Sequence, residues 1–205
     1  MAFREFKYPD LLATFQLTAA PSADLFAGVP PLPPPAGLVE SLAVSSRLAS
    51  TINTEKARSE GMIAPVLTAF WWGYRGRIGL YSGNELDGDA TAGLNGYCDF
   101  LLSRAPQQPF VTPPAVVIFE AKRENINDGL GQCIAGMVGA ERFNARHAAV
   151  AETLYGCVTT GTAWRFLTMA NRRVVIDLVE YQLHDLPHLL GILTHMIGPI
   201  PPAAA

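Results

Sequence analysis

Two hydrophobic rhythms divide the chain. Between residues 38 and 72 apolar positions recur at the helical spacing, with interruptions expected near Gly61 and Pro65. From residue 77 the rhythm shortens. "RIGLYSG" (77–83) and "NGYCDFLLS" (95–103) read as strands on either side of a turn-rich "NELDGDATAG" (84–93). A proline-rich loop (104–114) follows, then a strand at 116–122 that begins with the apolar run Val-Val-Ile-Phe. Helical spacing returns at 127–146, where Leu130, Ile134, Met137 and Val138 form an apolar stripe. Strands are expected at 154–160, 163–169 and 173–181, the first two joined by a tight turn around Gly161, and a closing helix at 186–197. This order predicts an α/β fold: a central mixed sheet flanked by helices, in the sequence helix, three strands, helix, two or three strands, helix.

The domain plan follows from the same pattern. Residues 1–37 read as an N-terminal arm that ends in a stiff polyproline-like connector, "GVPPLPPPAG" (28–37). Residues 38–200 read as one domain and 201–205 as a tail. The stretch "LLATFQLTAAPSA" faintly resembles a signal peptide, but Gln16 breaks its apolar core, and Glu5 and Asp10 are misplaced for one. It is expected to form a strand or an extended arm.

The strand at 116–122 ends oddly. Successive strand residues alternate faces, so Glu120 and Lys122 share one face and Ala121 takes the other. A Glu-x-Lys at a strand end is ordinarily a solvated edge, so a functional reading needs further groups in the same place. Asp99 supplies one. With Leu102 placed near Ala115 and Asp99 near Ile118, Asp99 falls on the face of Glu120, one diagonal step away. An aspartate inside an apolar strand is costly unless it is paired or binds a cation.

Composition narrows the classes. With 49% hydrophobic and 16% charged residues, the chain is neither disordered nor a coiled coil. A net charge of −3 argues against a general polyanion binder, though not against a local basic groove beside an acidic centre. Cys98, Cys133 and Cys157 are widely spaced and odd in number, which predicts reduced, buried thiols, a cytoplasmic setting and no disulfide framework. No segment is long and apolar enough to predict a membrane span.

Asp99 followed by Glu120-Ala121-Lys122 at the end of the next strand resembles the PD-(D/E)XK nuclease superfamily, the restriction-endonuclease-like fold. The order of elements is similar too, over roughly residues 50–180. Some members carry a glutamate on the first helix; "TEKARSEGMIAPVL" (54–67) offers Glu55 and Glu60, and Glu60 is favoured because it lies nearer the core positions Ile63 and Leu67. Some carry a glutamine on the crossover helix, where "GLGQCIAGM" (129–137) offers Gln132. Gly96-Tyr97-Cys98 stands where a proline often precedes the aspartate.

The resemblance implies a metal-dependent nuclease acting on phosphodiester bonds, DNA first. Asp99, Glu120 and the Ala121 carbonyl would hold Mg²⁺ or Mn²⁺, which shields the phosphate and lowers the pKa of a bound water. Lys122 would orient or help deprotonate that water, Glu60 would hold a metal water or second cation, and Gln132 would hold Lys122 or a phosphate oxygen. A second copy of the chain is a further candidate partner. The alternative is a non-catalytic nucleic-acid-binding or scaffold domain that keeps the fold.

Other features weigh less. Gly129, Gln132, Gly136 and Gly139 form a small-residue stripe that fits tight packing on the sheet, except that Gln132 among the glycines is harder to explain by packing and so lends modest support to the site. His184 and His188 in "HDLPH" lack a third metal ligand. Arg142 and Arg146 lie one turn apart and are more often helix-terminal residues than phosphate contacts. Trp71, Trp72 and Trp164 read as core and rim.

Overall fold

The computed structural model describes residues 3–198. The tail at 201–205 lies outside the described residues. Seven strands form one mixed sheet in the order β1-β7-β6-β5-β4-β3-β2. These are β1 (Thr18–Ala19), β2 (Gly79–Asp89), β3 (Leu94–Ser103), β4 (Ala115–Ala121), β5 (Leu154–Thr159), β6 (Ala163–Ala170) and β7 (Arg173–Gln182). Neighbours run antiparallel except β1 with β7 and β4 with β5.

Helices cover both faces. α5 (Leu130–Arg146) buries Ile134, Met137 and Val138 against one face, together with Phe3, Leu11 and Phe15 from the N-terminal segment. α2 (Leu38–Ile52), α4 (Ala64–Gly73) and α6 (Leu186–Ile197) pack on the other. The sequence explains their limits. α2 stops where Asn53 turns left-handed (φ 54°). The short α3 (Glu55–Arg58) is capped by Thr54, whose hydroxyl accepts the Ala57 N–H at 3.1 Å. Pro65 and Pro187 sit in the first turns of α4 and α6, where a missing N–H costs nothing. The expected interruption at Gly61 is a π-helical turn over Ser59–Ile63. Its close contact with α2 needs glycine, because a Cβ at Gly61 would lie 2.8 Å from Ala49 Cβ.

Three expectations need correction. The N-terminal stretch expected as a strand or extended arm opens with a helix, α1 (Leu11–Thr14), before β1 adds a parallel strand beside β7, and Phe26 joins the core. The 84–93 stretch is not mainly turn. β2 runs on to Asp89, because Asp87 and Asp89 are held by Arg146 and Arg142 of α5, a tertiary cause invisible to local composition. The third concerns register. β3 and β4 pair as Leu102↔Val117 and Phe100↔Phe119, with an irregularity between Leu102 and Ser103. The pairing lies two residues from the expected one, an even shift, and the irregularity accounts for one of the two.

Glycines allow the closest layer contact. A Cβ on Gly88 of β2 would lie 2.4 Å from Gly139 Cα on α5. A Cβ on Gly136 would lie 2.9 Å from Ile118 Cγ2. The small-residue stripe is therefore a packing feature. All three cysteines are buried and unpaired, as expected. Among the described residues no helix is long and apolar enough to cross a membrane.

Candidate functional site

The β3–β4 ladder ends at Phe100↔Phe119. Continuing that register by one step sets Asp99 directly opposite Glu120, closer than the expected diagonal. Here the ladder is completed by a side chain: Asp99 Oδ2 accepts the Ala121 N–H at 2.7 Å. The aspartate is thus tied to the strand that carries the second carboxylate. On its other side β4 pairs in parallel with β5, with Glu120↔Val158 paired and Lys122 N donating to Thr159 O at 2.8 Å.

Glu120 is 3% exposed, and its Oε1 accepts from Lys122 Nζ. Both side chains lie beneath Gly129, just before α5, where an added Cβ would come within 3.2 Å of each Cγ. Burial pushes the Glu120 carboxyl up to about 8, the Asp99 charge adds to the rise and Glu55 contributes, while Lys122 opposes it. Burial pulls the Lys122 ammonium down, but Glu120 outweighs it and the net direction is up. The pair therefore keeps Lys122 charged, and Glu120 is the member that titrates near neutrality.

A cleft of about 310 Å³ opens beside this centre, lined by Glu55, Lys56, Glu60, Ser82, Asp99 and Ala121 among others. It reaches Asp99 and Ala121. Glu120 and Lys122 are absent from its lining and lie behind them. Glu60 faces the cleft from the π-helical turn and pairs with Lys56 at 3.3 Å on the surface. Glu55 lines the same cleft, and its charge is felt by both Glu120 and Lys122. The structure thus couples Glu55, not Glu60, to the buried pair. Gln132 sits half-buried in the first turn of α5, and among the described residues no hydrogen bond joins it to Lys122 or Glu120. Cys133 turns toward the strand instead, its Sγ 3.7 Å from Ile118 O.

The donor set suits a hard cation. Two opposed carboxylates, one of them raised by the other's charge, are relieved by positive charge placed between them. In the structure the Lys122 ammonium contacts the Glu120 carboxylate, and Asp99 is held by the Ala121 N–H. Among the described residues no three His, Cys, Asp or Glu side chains are arranged as a metal cluster, so the remaining ligands would be a carbonyl, water or substrate oxygens.

The weaker candidates take structural roles. Arg142 and Arg146 pair with Asp89 and Asp87. His188 Nδ1 lies 2.6 Å from Asp185 Oδ2 at the start of α6. Trp164 is fully buried, while the half-exposed Trp72 is covered by the Arg75 guanidinium at 4.5 Å. Sequence reasoning passed over Arg165. The tight turn at Gly161 fixes the register Val158↔Arg165, and that alone puts Arg165 on the Glu120 face. No protein-family model matches the chain, and no curated protein is similar to it in sequence.

Proposed function

We propose that the chain is a metal-dependent nuclease with a restriction-endonuclease-like fold, hydrolysing phosphodiester bonds in DNA. The supporting observation is that Asp99 is tied to the strand end that carries the buried Glu120, with Lys122 on the Glu120 carboxylate. A strand-end carboxylate like Glu120, raised by burial and by the neighbouring Asp99 charge, has no need to exist in a pure scaffold, and such perturbation clusters at functional sites.

Asp99 and Glu120 would hold Mg²⁺ or Mn²⁺, with the Ala121 carbonyl as third ligand. The cation would supply shielding of the phosphate charge and a more acidic water. Lys122, released from Glu120 Oε1, orients the attacking water and offsets charge that builds on the phosphate oxygens. Asp99 stays fixed by the Ala121 N–H, so the site keeps its geometry as Lys122 moves. Glu55 is the better placed of the two helix glutamates to hold a further water, because its charge already reaches the buried pair.

One observation favours a second reading. Glu120 is nearly inaccessible and already neutralised by Lys122, as in a domain that keeps the fold to bind nucleic acid without cutting it. Incubation with single- and double-stranded DNA and RNA in Mg²⁺, Mn²⁺ or EDTA separates the two. Cation-dependent cleavage lost in Lys122→Met supports the nuclease. Binding without cleavage under every condition supports the second.

A further inference from the structure

One row of paired residues crosses four strands. Glu120 pairs with Val158, Val158 with Arg165, and Arg165 with Glu180. Directly paired residues share a face, so Arg165 stands on the same face as Glu120. It is two strands away, about 10 Å at the usual strand spacing. Val158 between them lies directly under Gly129.

The Arg165 guanidinium is incompletely used. Nη2 donates to Glu180 Oε1 at 2.6 Å, and Nη1 reaches Asn127 Oδ1 only at 3.4 Å. Nε is buried with no hydrogen-bond partner. An unsatisfied buried donor costs about 1–3 kcal/mol. A cross-strand ion pair accounts for Nη2 and for nothing else. The pair is also partly exposed, with Glu180 at 40%, and such pairs add little stability. Exchanging that carboxylate for another oxyanion is therefore inexpensive.

We infer that Arg165 is a substrate-binding residue that contacts a phosphate next to the one being hydrolysed. This rests on the nuclease reading and deepens it: the site would take a polynucleotide strand, not an isolated phosphodiester. The chemistry fits the row. Asp99 and Glu120 repel a polyanion at one end, and a fixed guanidinium attracts its neighbouring phosphate at the other. Asn127 ties that guanidinium to the 3₁₀ turn Ile126–Gly129, which also covers the Glu120–Lys122 pair. Glu180 holds the fork in place when no strand is bound.

The test uses the full chain, with Arg165→Met and Glu180→Gln. Binding of a short fluorescent single-stranded DNA is followed by anisotropy in EDTA and in Ca²⁺ over a series of salt concentrations. Arg165→Met should weaken binding about fivefold or more and reduce the slope of log affinity against log salt by about 0.7, the share of one phosphate contact on a single strand. Glu180→Gln, which removes the competing carboxylate, should strengthen binding, and it carries the test if Arg165→Met fails to fold. In Mg²⁺, the ratio of KM for the oligonucleotide to KM for bis(p-nitrophenyl) phosphate, which has a single phosphate, should rise about fivefold or more in Arg165→Met. Wild-type cleavage with both variants unchanged in affinity and KM ratio overturns the Arg165 contact and leaves the nuclease standing. Wild-type binding that responds to both variants without any cleavage overturns hydrolysis and keeps the contact. A wild-type protein that binds no DNA overturns both.

Discussion

Asp99 Oδ2 accepts the backbone N–H of Ala121 at 2.7 Å, so the first carboxylate of the site also closes the strand that bears the second. Structure and chemistry can be separated there. Asp99→Asn keeps an acceptor oxygen for Ala121 and should lose well under 1 kcal/mol, whereas Asp99→Ala leaves that N–H unpaired and should lose about 1–3 kcal/mol. Both should abolish cleavage. Urea unfolding of the two variants beside a nuclease assay checks this; equal stability losses would show that the hydrogen bond contributes nothing.

Glu120 should give the protein an unusual pH profile. Its folded pKa of about 8 lies above the ordinary value of 4.5. The folded state therefore holds a proton that the unfolded chain has released. Its contribution is fully present below the ordinary value and is lost as pH rises through about 8. On the order of 2–4 kcal/mol of stability should disappear across that window in metal-free protein. Glu120→Gln, which cannot ionise, should flatten the profile. Metal-free unfolding free energies at several pH values from acid to mildly alkaline decide it.

The layer contact at Gly88 and Gly139 should tolerate no side chain. A Cβ on Gly88 would meet Gly139 Cα at 2.4 Å, backbone that cannot rotate away. Gly88→Ala should cost about 2–3 kcal/mol or more. Gly129→Ala places its Cβ 2.5 Å from Val158 Cγ1 and 3.2 Å from the Glu120 and Lys122 Cγ atoms. It should destabilise by about 1–3 kcal/mol and also disturb the buried pair. Thermal melts, with the pH profile as a second reading for Gly129→Ala, test both.

Asn144 makes a contact that no sequence pattern announced. Its buried side chain donates to Ala115 O and accepts from Ala115 N, both at 2.8 Å, pinning α5 to the start of β4. Asn144→Ala should cost about 2–4 kcal/mol, because two buried backbone groups lose their partners. A change in denaturation midpoint below about 0.5 kcal/mol would contradict that role.

What the sequence revealed was local, and what it hid was tertiary. Helix α6 was legible at both ends from its apolar spacing and its proline in the first turn. Strand β4 was legible from its apolar run. The exact pairing was not, because the bulge at Leu102/Ser103 leaves no mark in composition. The far half of β2 looked like a turn because its Asp residues are neutralised by arginines some fifty residues later. Nearness to Ile63 and Leu67 favoured Glu60 over Glu55, but the π-helical turn between α3 and α4, which leaves no local mark, sets how each glutamate meets the cleft. Arg165 was within reach of the hairpin register but lay outside the motif that drew attention.

The central claim is that Asp99 and Glu120 form a divalent-cation site, with Lys122 held on Glu120 until a metal arrives. Thermal melting with increasing Mg²⁺ or Mn²⁺ at several pH values measures it most directly, in wild type, Glu120→Gln and Lys122→Met. The account predicts that the wild type is stabilised, by about 2.7 kcal/mol at a hundredfold excess over the dissociation constant. Apparent affinity should climb as pH rises toward about 8, because the cation must displace the proton on Glu120. Lys122→Met should keep the stabilisation while losing cleavage, and Glu120→Gln should lose both. A wild type whose melting temperature no divalent cation shifts at any pH, or a shift that survives in Glu120→Gln, would contradict the account.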